Sequence, residues 1–98
     1  MIHSFHEPKL AKLFEAGKAP AGIPSNIVNS LLKRLNDLHT ASNEQELTNN
    51  SLRYERLGMA RDELSSIRVN SKYRLIFEWN QGAHKVRLTA HDYKSMLF

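Results

Sequence analysis

The sequence contains no cysteine among its 98 residues. That excludes a disulfide framework and a thiolate metal site, and it suits a reducing compartment. No long apolar run is present, so no transmembrane helix is encoded and no membrane partner is expected. The first ten residues, MIHSFHEPKL, lack an apolar core and a small-residue cleavage site, so they do not read as a secretory signal. A cytoplasmic protein is the simplest expectation. Glycine-rich phosphate loops and Ser-centred nucleophile motifs are absent, which removes those chemistries from consideration. Repeats, linkers and low-complexity stretches are missing too, so residues 1–98 read as one domain.

What is present is modest apolar content and an excess of cations. A hydrophobic fraction of 41% can build a core, but a small one. Fourteen Lys and Arg stand against ten Asp and Glu, for a formal charge of +4. The pI near 9.6 fits a polyanionic partner such as nucleic acid, provided the cations cluster.

Patterning divides the chain in two. MIHSF reads as a short strand. PKLAKLFEAGK reads as a helix that opens at Pro8, repeats Leu10, Leu13 and Phe14 at helical spacing, and stops at Gly17. Pro20, Gly22 and Pro24 break the chain. A long helix follows, with Ser25 as its expected N-cap and an apolar stripe of Ile27, Val28, Leu31, Leu32, Leu35 and Leu38. Ser42 is the expected cap of one further turn through Leu47.

After Ser51 the period becomes two. LRYERL alternates Leu52 and Tyr54 against Arg53 and Glu55. LSSIRVN sets Ile67 and Val69 against Ser66 and Arg68. YRLIFEW sets Tyr73, Leu75, Phe77 and Trp79 against Arg74, Ile76 and Glu78. The NSK link suits a hairpin, with Asn70 expected to supply the left-handed conformation. Asn80 to Gly82 make a second turn, and KVRLTAH is the last strand. The expected fold is α+β: an N-terminal strand and helices packed on one face of a small, mostly antiparallel twisted sheet. The other face is expected to be partly wet, with Arg68 and Arg74 together on it. His3 and His6 fall on opposite sides of a strand, so no metal site or other cofactor is read. His39 and His84 read as solvated surface histidines. Asn49 opens an NNS glycosylation triplet, discounted because nothing else points to secretion.

Three stretches together resemble one family. MIHSFHEPKLAKLFEAGK is similar to the pattern MIxSFxxxxLxxLFExG. SIRVNSKYRLIFEW resembles the hairpin SIRVNxxWRIxFxF. HDYK stands where the family ends in xDYH. These are patterns of the HigB toxins of type II toxin–antitoxin systems, within the RelE/ParE toxin superfamily, and the likeness runs over nearly the whole chain. It implies the RelE-like toxin fold and a metal-independent, ribosome-dependent mRNA endonuclease. It also implies a HigA-like helix-turn-helix antitoxin, the ribosome and mRNA as partners, and operator DNA bound through the antitoxin complex.

Cleaving RNA through its own 2′-OH requires a deprotonated or aligned hydroxyl, a stabilised phosphorane and a proton for the leaving oxygen. By resemblance, the catalytic candidates are Arg74, Asp92, Tyr93 and Lys94. Arg68, Arg56, Arg61, Lys72 and His91 are the candidates for holding RNA. Guanidinium groups suit phosphate because a planar fork grips two oxygens.

Two departures bear on activity. Lys94 replaces the family's terminal histidine, and a free lysine, with pKa near 10.4, is a fixed charge rather than a proton shuttle at neutral pH. Gly58 replaces a loop lysine in the pattern PLKGDxxGxWSI, where Ser65 also replaces the tryptophan; Arg56 or Arg61 stand near enough to compensate. The apolar end SMLF extends past the family's usual terminus. A second reading therefore stays open: a non-catalytic toxin of the same fold that inhibits gyrase, or one that acts mainly as corepressor with its antitoxin.

Overall fold

Pro8 opens the first helix and Gly17 closes it. In the computed structural model, which describes residues 1–18, 20–48, 52–56 and 64–90, helix α1 covers Pro8–Ala16. Gly17 ends it at φ 72°, where its N–H donates to the Leu13 carbonyl at 2.8 Å. Glycine reaches this left-handed geometry without a Cβ penalty. Leu10 and Leu13 point inward and are fully buried.

Helix α2 covers Val28–Thr40. Ser25 does not cap it. The chain enters through a 3₁₀ turn, Ser25–Ile27, in which Ile27 N–H donates to the Pro24 carbonyl and no side chain caps the start. Ile27 is already buried there, so the apolar stripe begins before α-helical bonding does. Leu31, Leu35 and Leu38 continue it inside, while Val28 and Leu32 lie at its margin.

A second 3₁₀ turn, Glu44–Thr48, is capped by Asn43 rather than Ser42. Asn43 Oδ1 accepts from Glu46 N–H at 3.1 Å, and the Glu46 carboxylate reaches back to Ser42 N–H. This is the reciprocal logic of a capping box, centred one residue later than expected.

Among the described residues, four antiparallel strands follow in simple sequence order: β1 (Glu55–Arg56), β2 (Leu64–Arg68), β3 (Tyr73–Trp79) and β4 (Ala83–Ala90). Strand β1 is shorter than the alternation of LRYERL predicts, because Arg53 turns to φ 50° and Leu52 lies in a turn. Leu52 still reaches the core. Asn70 also differs from expectation. It holds the β2–β3 turn through its side chain, with Oδ1 accepting from the N–H groups of Lys72 and Tyr73, both at 2.8 Å. Such a side-chain turn needs no positive φ at the asparagine.

The expected N-terminal strand is two parallel bridges, Ile2 to Ala83 and Phe5 to Val86, instead of a continuous ladder. The interruption follows from β4. Lys85 adopts φ 54°, and the β3–β4 register shifts between Ile76 and Glu78, as at a β-bulge. Side chains then complete the seam: Ser4 Oγ accepts from Lys85 N–H at 2.9 Å, and Glu7 Oε1 from Leu88 N–H at 2.8 Å.

Both helices cover the face that presents Ile67, Leu75, Phe77 and Val86, all fully buried. The opposite face is wet only at its ends. Ser66 and Ile76 in its middle are 0% exposed and Thr89 is 7% exposed, whereas Arg68, Arg74 and Arg87 are half-buried. No helix among the described residues is long and apolar enough to cross a membrane.

Candidate nucleic-acid interface

The β2–β3 hairpin places Arg68 directly opposite Arg74. Paired residues share a face, so both guanidinium groups stand on the side away from the helices, as the alternation predicts. Two like charges in register repel, and each needs an acceptor to hold it. Arg74 has several. Its Nε donates to Ser66 Oγ at 2.9 Å, one Nη donates to the Arg53 carbonyl at 2.6 Å, and the Glu55 carboxylate lies 3.9 Å away. Arg68 Nε donates to the Asn70 carbonyl at 3.1 Å.

Around this pair lies an open groove of about 630 Å³, lined by Arg53, Tyr54, Glu55, Arg68, Asn70, Ser71, Lys72 and Arg74. Four of these side chains are cationic and one is anionic, so the groove carries a positive potential. The carbonyl that holds Arg68 is a neutral partner and leaves its positive charge in place. Lys72 sits at its edge with Nζ 5.6 Å from the Tyr73 ring centre.

Tyr54 plays a different part. Its hydroxyl donates to the Glu44 carboxylate and lies 3.1 Å from Ser65 Oγ. Burial, and then the hydrogen bond to Glu44, push its pKa above the ordinary value of 10.0. It is therefore a protonated donor at neutral pH and not a base.

Of the residues singled out in the sequence, Arg68, Lys72 and Arg74 converge on the groove. Arg56 does not. It pairs in register with Ser65 on the helix-covered face, where its guanidinium meets Glu44 at 3.0 Å. Arg61, His91, Asp92, Tyr93 and Lys94 lie outside the described residues. Arg53 of the groove and Ser66, the buried acceptor of the Arg74 bond, escaped sequence reasoning. Arg53 enters through a backbone turn that no pattern announces. Ser66 had a signal, since alternation sets it on the same face as Arg68.

The histidines are not simply solvated. His39 Nδ1 accepts from Ile2 N–H at 3.1 Å, and its ring meets Phe14 at 5.1 Å, so it ties the N-terminal segment to α2. His84 stacks on His3 with centroids 4.6 Å apart, and its Nε2 lies 2.9 Å from the Asn80 carbonyl.

Comparison with known proteins gives the family. A family model described as the RelE-like toxin of the type II toxin–antitoxin system HigB matches residues 3–93. The chain belongs to the HigB-like toxin family. Toxin HigB-1 of Vibrio cholerae serotype O1 is 37% identical over 95 residues, covering 95% of this chain and 100% of that one. An uncharacterised protein of Haemophilus influenzae is 29% identical over 91 residues, covering 91% of this chain and 90% of its own. The fold is that expected of a RelE-like toxin, with helices on one face of a four-stranded antiparallel sheet. As a HigB-like toxin the chain is the toxin half of a type II pair, and an antitoxin is its expected partner.

Proposed function

We propose that this HigB-like toxin is a ribosome-dependent mRNA endonuclease that inhibits translation and is neutralised by a HigA-like helix-turn-helix antitoxin. The observation that carries the reading is the in-register pair Arg68 and Arg74, set in a groove with Arg53 and Lys72. A phosphate drawn into that groove meets two planar forks from adjacent strands. Arg74 stabilises the charge that develops on the scissile phosphate, and Arg68 and Lys72 hold the flanking backbone. Its Nε bond to Ser66 fixes the plane of the guanidinium, so little reorganisation is needed as charge grows.

The remaining chemistry is assigned to Asp92, Tyr93 and Lys94, which follow β4 in sequence. That strand pairs Thr89 with Arg74 and Ala90 with Tyr73. Tyr93 aligns the 2′-OH or stacks on a base, Asp92 orients a neighbouring cation, and Lys94 contributes fixed positive charge to the phosphorane, while solvent takes the 2′-OH proton and returns one to the leaving 5′-oxygen. His91 and Arg61 are assigned to RNA contact. The antitoxin complex is assigned binding to operator DNA.

The test is induced expression of the toxin followed by primer extension on a translated transcript. New transcript ends that disappear in an Arg74→Ala, Lys94→Ala double variant support the assignment. Growth arrest of equal strength from that variant refutes these roles. Arrest of replication with intact mRNA refutes cleavage and supports gyrase inhibition, and toxin-dependent operator binding without arrest supports a corepressor.

A further inference from the structure

The sheet face that carries Arg68 and Arg74 has a second cavity toward its other end. It encloses about 400 Å³ and is lined by His6, Leu64, Glu78, Lys85 and Arg87. Register places it on the same face as the groove. Leu64 pairs with Glu78, Ile76 with Arg87, and Arg74 with Thr89. Arg87 is thus two residues along β4 from the partner of Arg74, and residues two apart on a strand share a face.

Arg87 is half-buried, yet no hydrogen bond or ion pair engages it among the described residues. The carboxylate in the same cavity is already committed, since Glu78 meets Lys85 Nζ at 3.2 Å. A guanidinium partly withdrawn from water, with no ion pair of its own among the described residues, is poised for an anion. Its planar fork matches two phosphate oxygens.

We propose that this cavity is a second phosphate-binding site, with Arg87 its principal contact, so that one single RNA strand reaches both the arginine groove and the β4 bulge. This rests on the reading of the groove as an RNA site and extends it to a longer footprint. RNA is favoured over an acidic protein surface for two reasons. A protein interface wants a desolvated aromatic or aliphatic anchor at its centre, and Leu64 is the single aliphatic side chain among the described residues that line the cavity. A nucleic-acid strand instead repeats its charge at each unit, which is what two cationic sites on one continuous face can read.

The experiment measures binding of the full chain to a fluorescent single-stranded RNA across a salt series, with primer extension run in parallel. Each phosphate contact contributes about 0.7 to the slope of log affinity against log salt on a single strand. Arg87→Ala is expected to lower that slope by about 0.7 and weaken binding, with cleavage sites unchanged. Arg87→Lys is expected to restore most of the slope, which a lesion of folding would not allow. A wild-type slope in Arg87→Ala overturns the proposal, as does absence of RNA binding by the wild-type chain. Loss of antitoxin binding at unchanged RNA affinity overturns it in favour of an acidic protein partner. The nuclease reading is judged separately, by whether wild type makes new transcript ends that Arg74→Ala removes.

Discussion

Arg74 donates from Nε to the hydroxyl of Ser66, a buried serine on the neighbouring strand, at 2.9 Å. The bond fixes a cation that would otherwise swing away from Arg68, its in-register neighbour. It makes the position of one guanidinium depend on a side chain that has no chemistry of its own.

Removing the guanidinium should therefore cost more than its charge alone. Arg74→Ala is expected to slow cleavage of ribosome-bound mRNA by about 100-fold or more, the usual loss when a preorganised donor to a developing oxyanion is deleted. Arg74→Lys should recover little, because Ser66 and the Arg53 carbonyl are met by two separate nitrogens of the fork, a span that the single nitrogen of an ammonium lacks. Single-turnover cleavage on programmed ribosomes checks both.

Ser66→Ala removes the acceptor and leaves the arginine. Stability should fall by about 1 kcal/mol, the ordinary net worth of a hydrogen bond. Cleavage should fall further than that loss of stability accounts for, at unchanged net charge. Denaturant unfolding read beside single-turnover cleavage separates the two effects.

Tyr54 predicts an alkaline boundary. Its folded pKa is raised above 10.0, first by burial and then by the bond to Glu44. A raised folded pKa means that the contribution is fully present below pH 10 and is lost as pH rises through the folded value. Tyr54→Phe should thus be less stable than wild type at pH 7, by about 1 kcal/mol for each hydrogen bond lost. The gap should close as pH climbs past 10. Urea unfolding of both proteins at several pH values tests the sign.

Gly82 permits the N-terminal segment to dock. It sits at φ 136°, and a Cβ there would lie 2.4 Å from His3 Nε2 and 2.6 Å from the Met1 carbonyl oxygen. Gly82→Ala should cost on the order of 1–3 kcal/mol from backbone strain alone. Amide exchange should accelerate at His3 and Ala83, whose bridge bonds it disturbs. Thermal unfolding with residue-resolved exchange measures both.

The α+β plan, both helices, the β2–β3 hairpin and the arginine face were legible because each rests on periodicity, and burial of one face enforces periodicity over many residues. What escaped depends on single backbone angles. The positive φ of Arg53 shortens β1 and brings its carbonyl to Arg74, and that of Lys85 breaks the N-terminal ladder. Neither residue is a glycine or asparagine, so neither flags its conformation in sequence. His39 escaped for another reason: its partner, Ile2, is 37 residues away, and no local pattern encodes such a bond. The dry middle of the open face was also unexpected, because alternation assigns Ile76 a side but does not say that the side is covered.

The seam between the N-terminal segment and β4 has a kinetic consequence. The bridge from Ile2 to Ala83 joins segments far apart in the chain, so these partners meet late. Closing so long a loop is entropically expensive and comes after local contacts have formed. The seam should therefore be absent from the folding transition state, and lesions in it should accelerate unfolding while leaving the folding rate nearly untouched. The lifetime of the toxin, more than the speed of its maturation, is set at that edge.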